Sequence, residues 1–153
     1  MKTLSTLLFL SIIFLACSPG ENQDKTGSTE SAEETGTSSH GFGPISSIEL
    51  NAPLNPEMVA RGQTLYEMRC AACHKLGDQF IIGPGWEGLT ERRSPEWIMN
   101  MILNVDEMLL KDSEAQELLR DCLVRMPDQD LTETEARDLL EFIFANDGLE
   151  VGS

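Results

Sequence analysis

The sequence predicts an all-α domain, and three observations carry that reading. Helix-start signals recur at Asn55-Pro56, at Ser94-Pro95-Glu96 and at Thr132 with Glu135. The apolar residues that follow them return at helical intervals, and no stretch alternates convincingly as a strand. The domain is expected over residues 51–153, about 100 residues, near the commonest size for a single core. Three to five helices are expected within it.

Asn55 caps the first helix and Pro56 takes its first position, where a missing N–H costs nothing. PEMVARGQTLYEMR then places Met58, Val59, Gly62, Leu65 and Tyr66 on one face, and the segment RCAACHKLG sits at the C-terminal end. KLGDQFIIGPGWEGLT reads as a loop, marked by its glycines and Pro84. SPEWIMNMILN is the second expected helix and DSEAQELLRDC the third, with NVDEMLLKD as a loop between them. Thr132 and Glu135 have capping-box spacing ahead of Ala136, Leu139, Leu140, Ile143 and Phe144. Gly148 is available for a left-handed cap at the end of that last helix.

Residues 1–16 have a lysine near the start and an apolar run too short to span a bilayer, which is the pattern of an export signal. The run ends in FLAC, which resembles the lipobox of bacterial lipoproteins, where the cysteine is acylated and becomes the mature N-terminus. That resemblance implies lipidation at Cys17 and an exported bacterial lipoprotein on the periplasmic side of a membrane. The alternative is an ordinary cleaved signal with a chance cysteine. Residues 17–50 are rich in Ser, Thr, Gly and Glu and poor in aliphatic residues, so a disordered acidic tether is expected, with an end-to-end distance of roughly 35 Å.

Residues 51–153 carry 20 Asp and Glu against 9 Lys and Arg, and the whole chain has a formal net charge of −15. Such a surface argues against nucleic acid and favours a partner with a basic docking patch, although acidity also serves solubility alone.

Cys70, Cys73 and His74 carry the chemistry. A zinc site needs four ligands, usually in pairs, and no second pair exists, because Cys122 and His40 are single. A thioredoxin-like redox pair belongs to a βαβ context that is absent here. Haem attachment needs two thiols at this spacing followed directly by a histidine, and an exported chain is sent to where that chemistry occurs. A structural Cys70–Cys73 disulfide stays as the alternative.

With these residues in view, the sequence resembles the small single-haem class I cytochromes c over about residues 56–147. RGQTLYEMRCAACH resembles the family's N-terminal helix running into its haem motif. GPGWEGL resembles the loop whose proline carbonyl accepts a hydrogen bond from the ligand histidine, a role that falls on Pro84. RMPDQDLTETEARDLLEFI resembles the methionine loop and C-terminal helix. The resemblance implies one covalent haem c wrapped by the helices, ligated by His74 and Met126, with Gly62 and Tyr66 crossing the last helix near Phe142. Met108, in the segment expected to be a loop, is the rival sulfur.

Histidine and methionine together leave no open coordination position, so the implied activity is one-electron transfer between redox proteins, with no small-molecule substrate. Trp86, Leu89, Trp97 and Ile102 are candidates for the haem wall, and Arg92 and Arg93 for pairing with propionates. Cys122 is left over, as an intermolecular bridge or a buried apolar residue, and burial is the preferred reading. RRSPEWIMNMILNVDEML is also similar to lipoprotein cytochromes associated with nitrous oxide reduction or other terminal respiratory steps. Two rivals stand beside the carrier. One is an open-site haem enzyme or gas sensor for peroxide or nitric oxide, which follows if no methionine reaches the iron. The other is a haem-free lipoprotein with a disulfide and an interaction role.

Overall fold

The computed structural model describes residues 39–122 and 124–153. The export signal, Cys17 and the first part of the expected tether lie outside the described residues. Helices α1 (Pro56–Leu65), α2 (Leu89–Arg92), α3 (Pro95–Leu103), α4 (Val105–Lys111), α5 (Ser113–Asp121) and α6 (Glu133–Asn146) follow in order, and the β-structure among the described residues is limited to isolated bridges. Two of these six exceed the helices expected from sequence: the single turn α2 and the whole of α4.

The start signals act as their chemistry dictates. Asn55 Oδ1 accepts from the Glu57 and Met58 N–H groups at 2.9 and 3.1 Å, and Ser94 Oγ from the Trp97 N–H at 3.2 Å. Thr132 and Glu135 exchange bonds as a complete capping box at the start of α6.

Helices α1 and α6 form the main packing of the domain. Gly62 makes their close crossing feasible, because a Cβ there would strike the Asp138 carbonyl oxygen and lie 2.7 Å from Phe142 Cβ. One turn on, the Tyr66 and Phe142 rings stand 5.5 Å apart. Arg61 grips the buried Asp138 carboxylate through two N–H groups at 2.7 and 2.8 Å, beside the same crossing.

Beyond Leu65 the helix widens into one π turn, Tyr66–Cys70, whose last bond runs from the Ala71 N–H to the Tyr66 carbonyl at 2.9 Å. That extra residue per turn re-aims the chain as it enters the cysteine motif. Trp97, Ile98, Met99 and Ile102 of α3 and Leu139, Leu140 and Ile143 of α6 fill the core.

The tether expected over 17–50 does not extend to its last twelve residues. Residues 39–50 form a strap on the domain, although their Ser and Gly content reads as linker. The buried Asn100 side chain holds the strap, donating to the His40 and Ile45 carbonyls at 2.8 Å each and accepting from the Ile45 N–H at 3.0 Å. Glu96 accepts from the Ile48 N–H at 2.9 Å, and Ile45 itself is buried. Sparse apolar residues suffice because these polar anchors complete the backbone's hydrogen bonding.

Candidate functional site

A largely apolar cavity of about 270 Å³ opens between the motif end of α1, the loop after it, α3, α5 and the segment leading to α6. The cysteine motif forms one wall. His74 follows a tight turn in which the Cys73 and His74 N–H groups both donate to the Cys70 carbonyl, at 3.0 and 2.9 Å. Tyr66 Oη donates to the His74 carbonyl at 2.9 Å, tying the motif back to the π turn.

The histidine ring is fixed from the other side. Its Nδ1 lies 2.8 Å from the Pro84 carbonyl oxygen, which can only accept, so Nδ1 carries the proton and the Nε2 lone pair is left to bind a metal. Burial holds the His74 pKa below its ordinary value, against the opposing pull of the Pro84 bond. Both features favour the neutral imidazole that iron ligation needs. Gly83 makes the approach feasible, since a Cβ there would strike the ring at Cε1.

The loop around Pro84 is held at both ends. Gly83 and Trp86 donate backbone bonds to the Cys73 and Lys75 carbonyls at 3.1 and 2.9 Å. Asp147, at the end of α6, accepts from the Gly88 and Thr90 N–H groups and the Thr90 hydroxyl, at 2.9, 2.9 and 2.8 Å. Trp86 packs against Tyr66 and against His74, with centroids 5.0 and 5.7 Å apart.

Cys70 and Cys73 are free thiols that both face the cavity. Burial, reinforced by Cys73, pushes the Cys70 thiol up to about 11, so it sits in the wall as a neutral group. Among the described residues no group of three His, Cys, Asp or Glu side chains is placed to hold a metal ion by itself.

The sequence-selected residues converge. Pro84, Trp86, Leu89, Trp97, Ile102 and Met126 all line the same cavity as Cys70, Cys73 and His74. Met108 does not: NVDEMLLKD is helical rather than a loop, and Met108 lies 0% exposed on α4, where its sulfur accepts from the Phe42 N–H at 3.0 Å. The strap therefore claims the rival sulfur. Met101 of α3 does reach the cavity wall. Cys122 is half-buried at the cavity rather than enclosed in the core.

The wall also fits the charge of a porphyrin carboxylate. Arg92 and Arg93 both line the cavity, and the Arg93 Nε is buried without a hydrogen-bond partner. An unmet buried donor of positive charge is what a propionate oxygen would satisfy. Sequence reasoning missed Asp147, which no local pattern marks, and Asp112, discussed below, whose position just ahead of Ser113 was a readable N-cap signal.

The sequence profile described as Cytochrome c matches residues 59–145. A cytochrome c from Rhodothermus marinus superposes with a TM-score of 0.68 at 30% identity, covering 71% of this chain and 93% of that one. An engineered cytochrome c from Rhodothermus marinus gives 0.67 at 29% identity, over 71% and 94%. The engineered protein bound to a carbene intermediate gives 0.64 at 28% identity, again over 71% and 94%. No curated protein sequence matches the chain.

Proposed function

Because the chain belongs to the cytochrome c family and so carries one covalent haem c for electron transfer, we propose that Cys70 and Cys73 would form its thioethers and that His74 and Met126 would hold its iron. The observation that carries this reading is the convergence of one fixed histidine, the two free thiols of its own motif and one loop methionine on a single apolar cavity. Bound there, the haem supplies a one-electron couple.

The chain's own residues do the rest. Pro84 sets the His74 tautomer, while Trp86, Leu89, Trp97 and Ile102 exclude water, which tunes the potential. His74 and Met126 would together hold the iron, a donor pair suited to one-electron transfer, and on that reading the protein acts as an electron carrier without an enzymatic activity of its own. The reading extends to a lipid anchor at Cys17, the periplasmic side of a membrane, and redox partners with basic docking surfaces, toward a terminal reductase or oxidase. Its support there is the FLAC segment, the net charge of −15 and, for the terminal step, the resemblance carried by RRSPEWIMNMILNVDEML.

The deciding experiment combines intact mass with optical spectra. One haem should stay attached through acid–acetone treatment, and the oxidised protein should show the weak far-red sulfur-to-iron band. Haem released by the solvent would sink the thioether assignment. A wild type without the band would put the rival, an open-site enzyme or sensor, ahead of the carrier. Fatty-acid labelling that disappears in Cys17→Ser tests the anchor, and partner reduction that is flat across ionic strength would remove the basic-surface proposal, since exposed charges are screened within about 10 Å at 0.1 M salt.

A further inference from the structure

The Asp112 side chain is 0% exposed and takes no part in the site described so far. Its Oδ1 accepts from Trp97 Nε1 at 3.2 Å and from the Ala115 N–H at 2.8 Å, while its buried Oδ2 has no partner. Both donors belong to residues that line the cavity. The carboxyl group therefore stands one residue behind the wall on which the haem rests.

Both of its contacts are N–H groups that donate to Oδ1, the pairing that a carboxylate oxygen makes. Capping α5 does not by itself call for such a group, since the neutral caps Asn55 and Ser94 serve α1 and α3. A buried, half-satisfied carboxylate is costly, so a neutral cap would be the cheaper solution here.

Two nearby cations are already paired with other carboxylates. Arg93 lies over the Trp97 ring at 4.9 Å and pairs with Glu114 at 3.1 Å, and Lys111 pairs with Glu107 at 2.8 Å. These five side chains, Asp112 included, sum to one negative charge. Behind a low-dielectric wall that charge acts more strongly than it would in solvent.

We propose that Asp112 is a positioning residue for electron transfer: it holds the Trp97 indole against the cavity and places a fixed negative charge behind it. Oxidised haem carries one more positive charge than reduced haem, so this charge favours the oxidised form and holds the potential down. The proposal rests on the haem occupying this cavity, as argued above.

The test is a spectroelectrochemical titration of the full holoprotein. Asp112→Asn keeps an oxygen for both donors and a residue suited to capping, and removes the charge. At an applied potential equal to the wild-type midpoint, the ratio of reduced to oxidised haem should rise several-fold, tenfold being 59 mV for a one-electron couple. Asp112→Ser, a second neutral cap, should shift it the same way, so failure of one variant to fold leaves the other to decide. Glu114→Gln, at the edge of the same cluster, should give a smaller shift that fades with added salt, while the Asp112 shift persists. A wild-type or lowered midpoint in a folded Asp112 variant, with covalent haem and far-red band intact, overturns the proposal and leaves the ligand assignment standing. Loss of the band or of covalent haem in the wild type would strike the ligand assignment instead.

Discussion

The two walls of the cavity that carry the proposed ligands are built differently. The His74 wall is bonded from several elements: the π turn through Tyr66, the loop through Pro84, and α6 through Asp147 and Asn146. Around Met126 the hydrogen bonds are short-range, such as Gln129 Nε2 to the Pro127 carbonyl at 2.7 Å and the Asp130 N–H to Asp128 Oδ1 at 2.8 Å, and the tie to another helix is an exposed ion pair of Arg125 with Asp106 of α4. The contrast teaches that the fold itself fixes the proposed nitrogen ligand through several elements, whereas the proposed sulfur ligand is held by local bonds and a surface ion pair. Loss of sulfur is then a local event, and loss of the histidine wall is not.

The largest expected effect comes from the histidine wall. The double variant Cys70→Ala, Cys73→Ala should lose covalent haem altogether, with the intact mass falling by one haem group; retention of that mass would mean attachment elsewhere. Next comes Met126→Ala. Its haem should stay attached while the far-red band vanishes and the midpoint potential falls, as water or another donor enters. If Met126→Ala keeps the band, Met101 is the next sulfur to substitute.

Met108→Ala makes the sharpest control. The band should survive, yet the cavity left in a fully buried site should cost about 2–5 kcal/mol, seen as a lower denaturant midpoint. Gly62→Ala should be destabilising by roughly 1–3 kcal/mol, because the α1–α6 crossing must spread before a methyl group fits. Little loss on thermal melting would show that the two helices part readily.

The smallest effect concerns the start of α6. Thr132→Ala should cost about 1 kcal/mol as a lost cap. Bonds from the Thr132 N–H and hydroxyl hold the Glu135 pKa below its ordinary 4.5. A depressed carboxyl stabilises the fold above its unfolded pKa, and that contribution drains away as pH falls through the folded value. The gap between wild type and Thr132→Ala should therefore narrow as urea titrations move below pH 4.5. A gap independent of pH would assign the cap to the bond that the hydroxyl accepts from the Glu135 N–H, not to the one it donates to the carboxylate.

Much of this was legible in the chain because the signals are local. The Asn55-Pro56, Ser94-Pro95 and Thr132-Glu135 caps need only neighbours a turn away, and the spacing of Cys70, Cys73 and His74 is itself the chemistry. Helix α4 was not legible. It has seven residues, begins at a β-branched Val105 and lacks a side-chain cap, so it forms through packing rather than by propensity. The same cause misplaced Met108, whose sulfur is claimed by a backbone N–H 66 residues earlier. The strap escaped notice because Ser and Gly surround Phe42, Ile45 and Ile48, and its anchors, Glu96 and Asn100, belong to a distant helix.

That clasp has a consequence for how the molecule breathes. The Ile45 amide hydrogen is bonded to a side chain of α3 and buried with it, so solvent deuterium can reach it only when Asn100 lets go. Its exchange rate is then a clock for local opening at the back of α3, the helix whose Trp97 faces the cavity. If α3 opens only with the whole fold, the Ile45 amide will exchange as slowly as the α6 core; if the strap lifts by itself, it will exchange first.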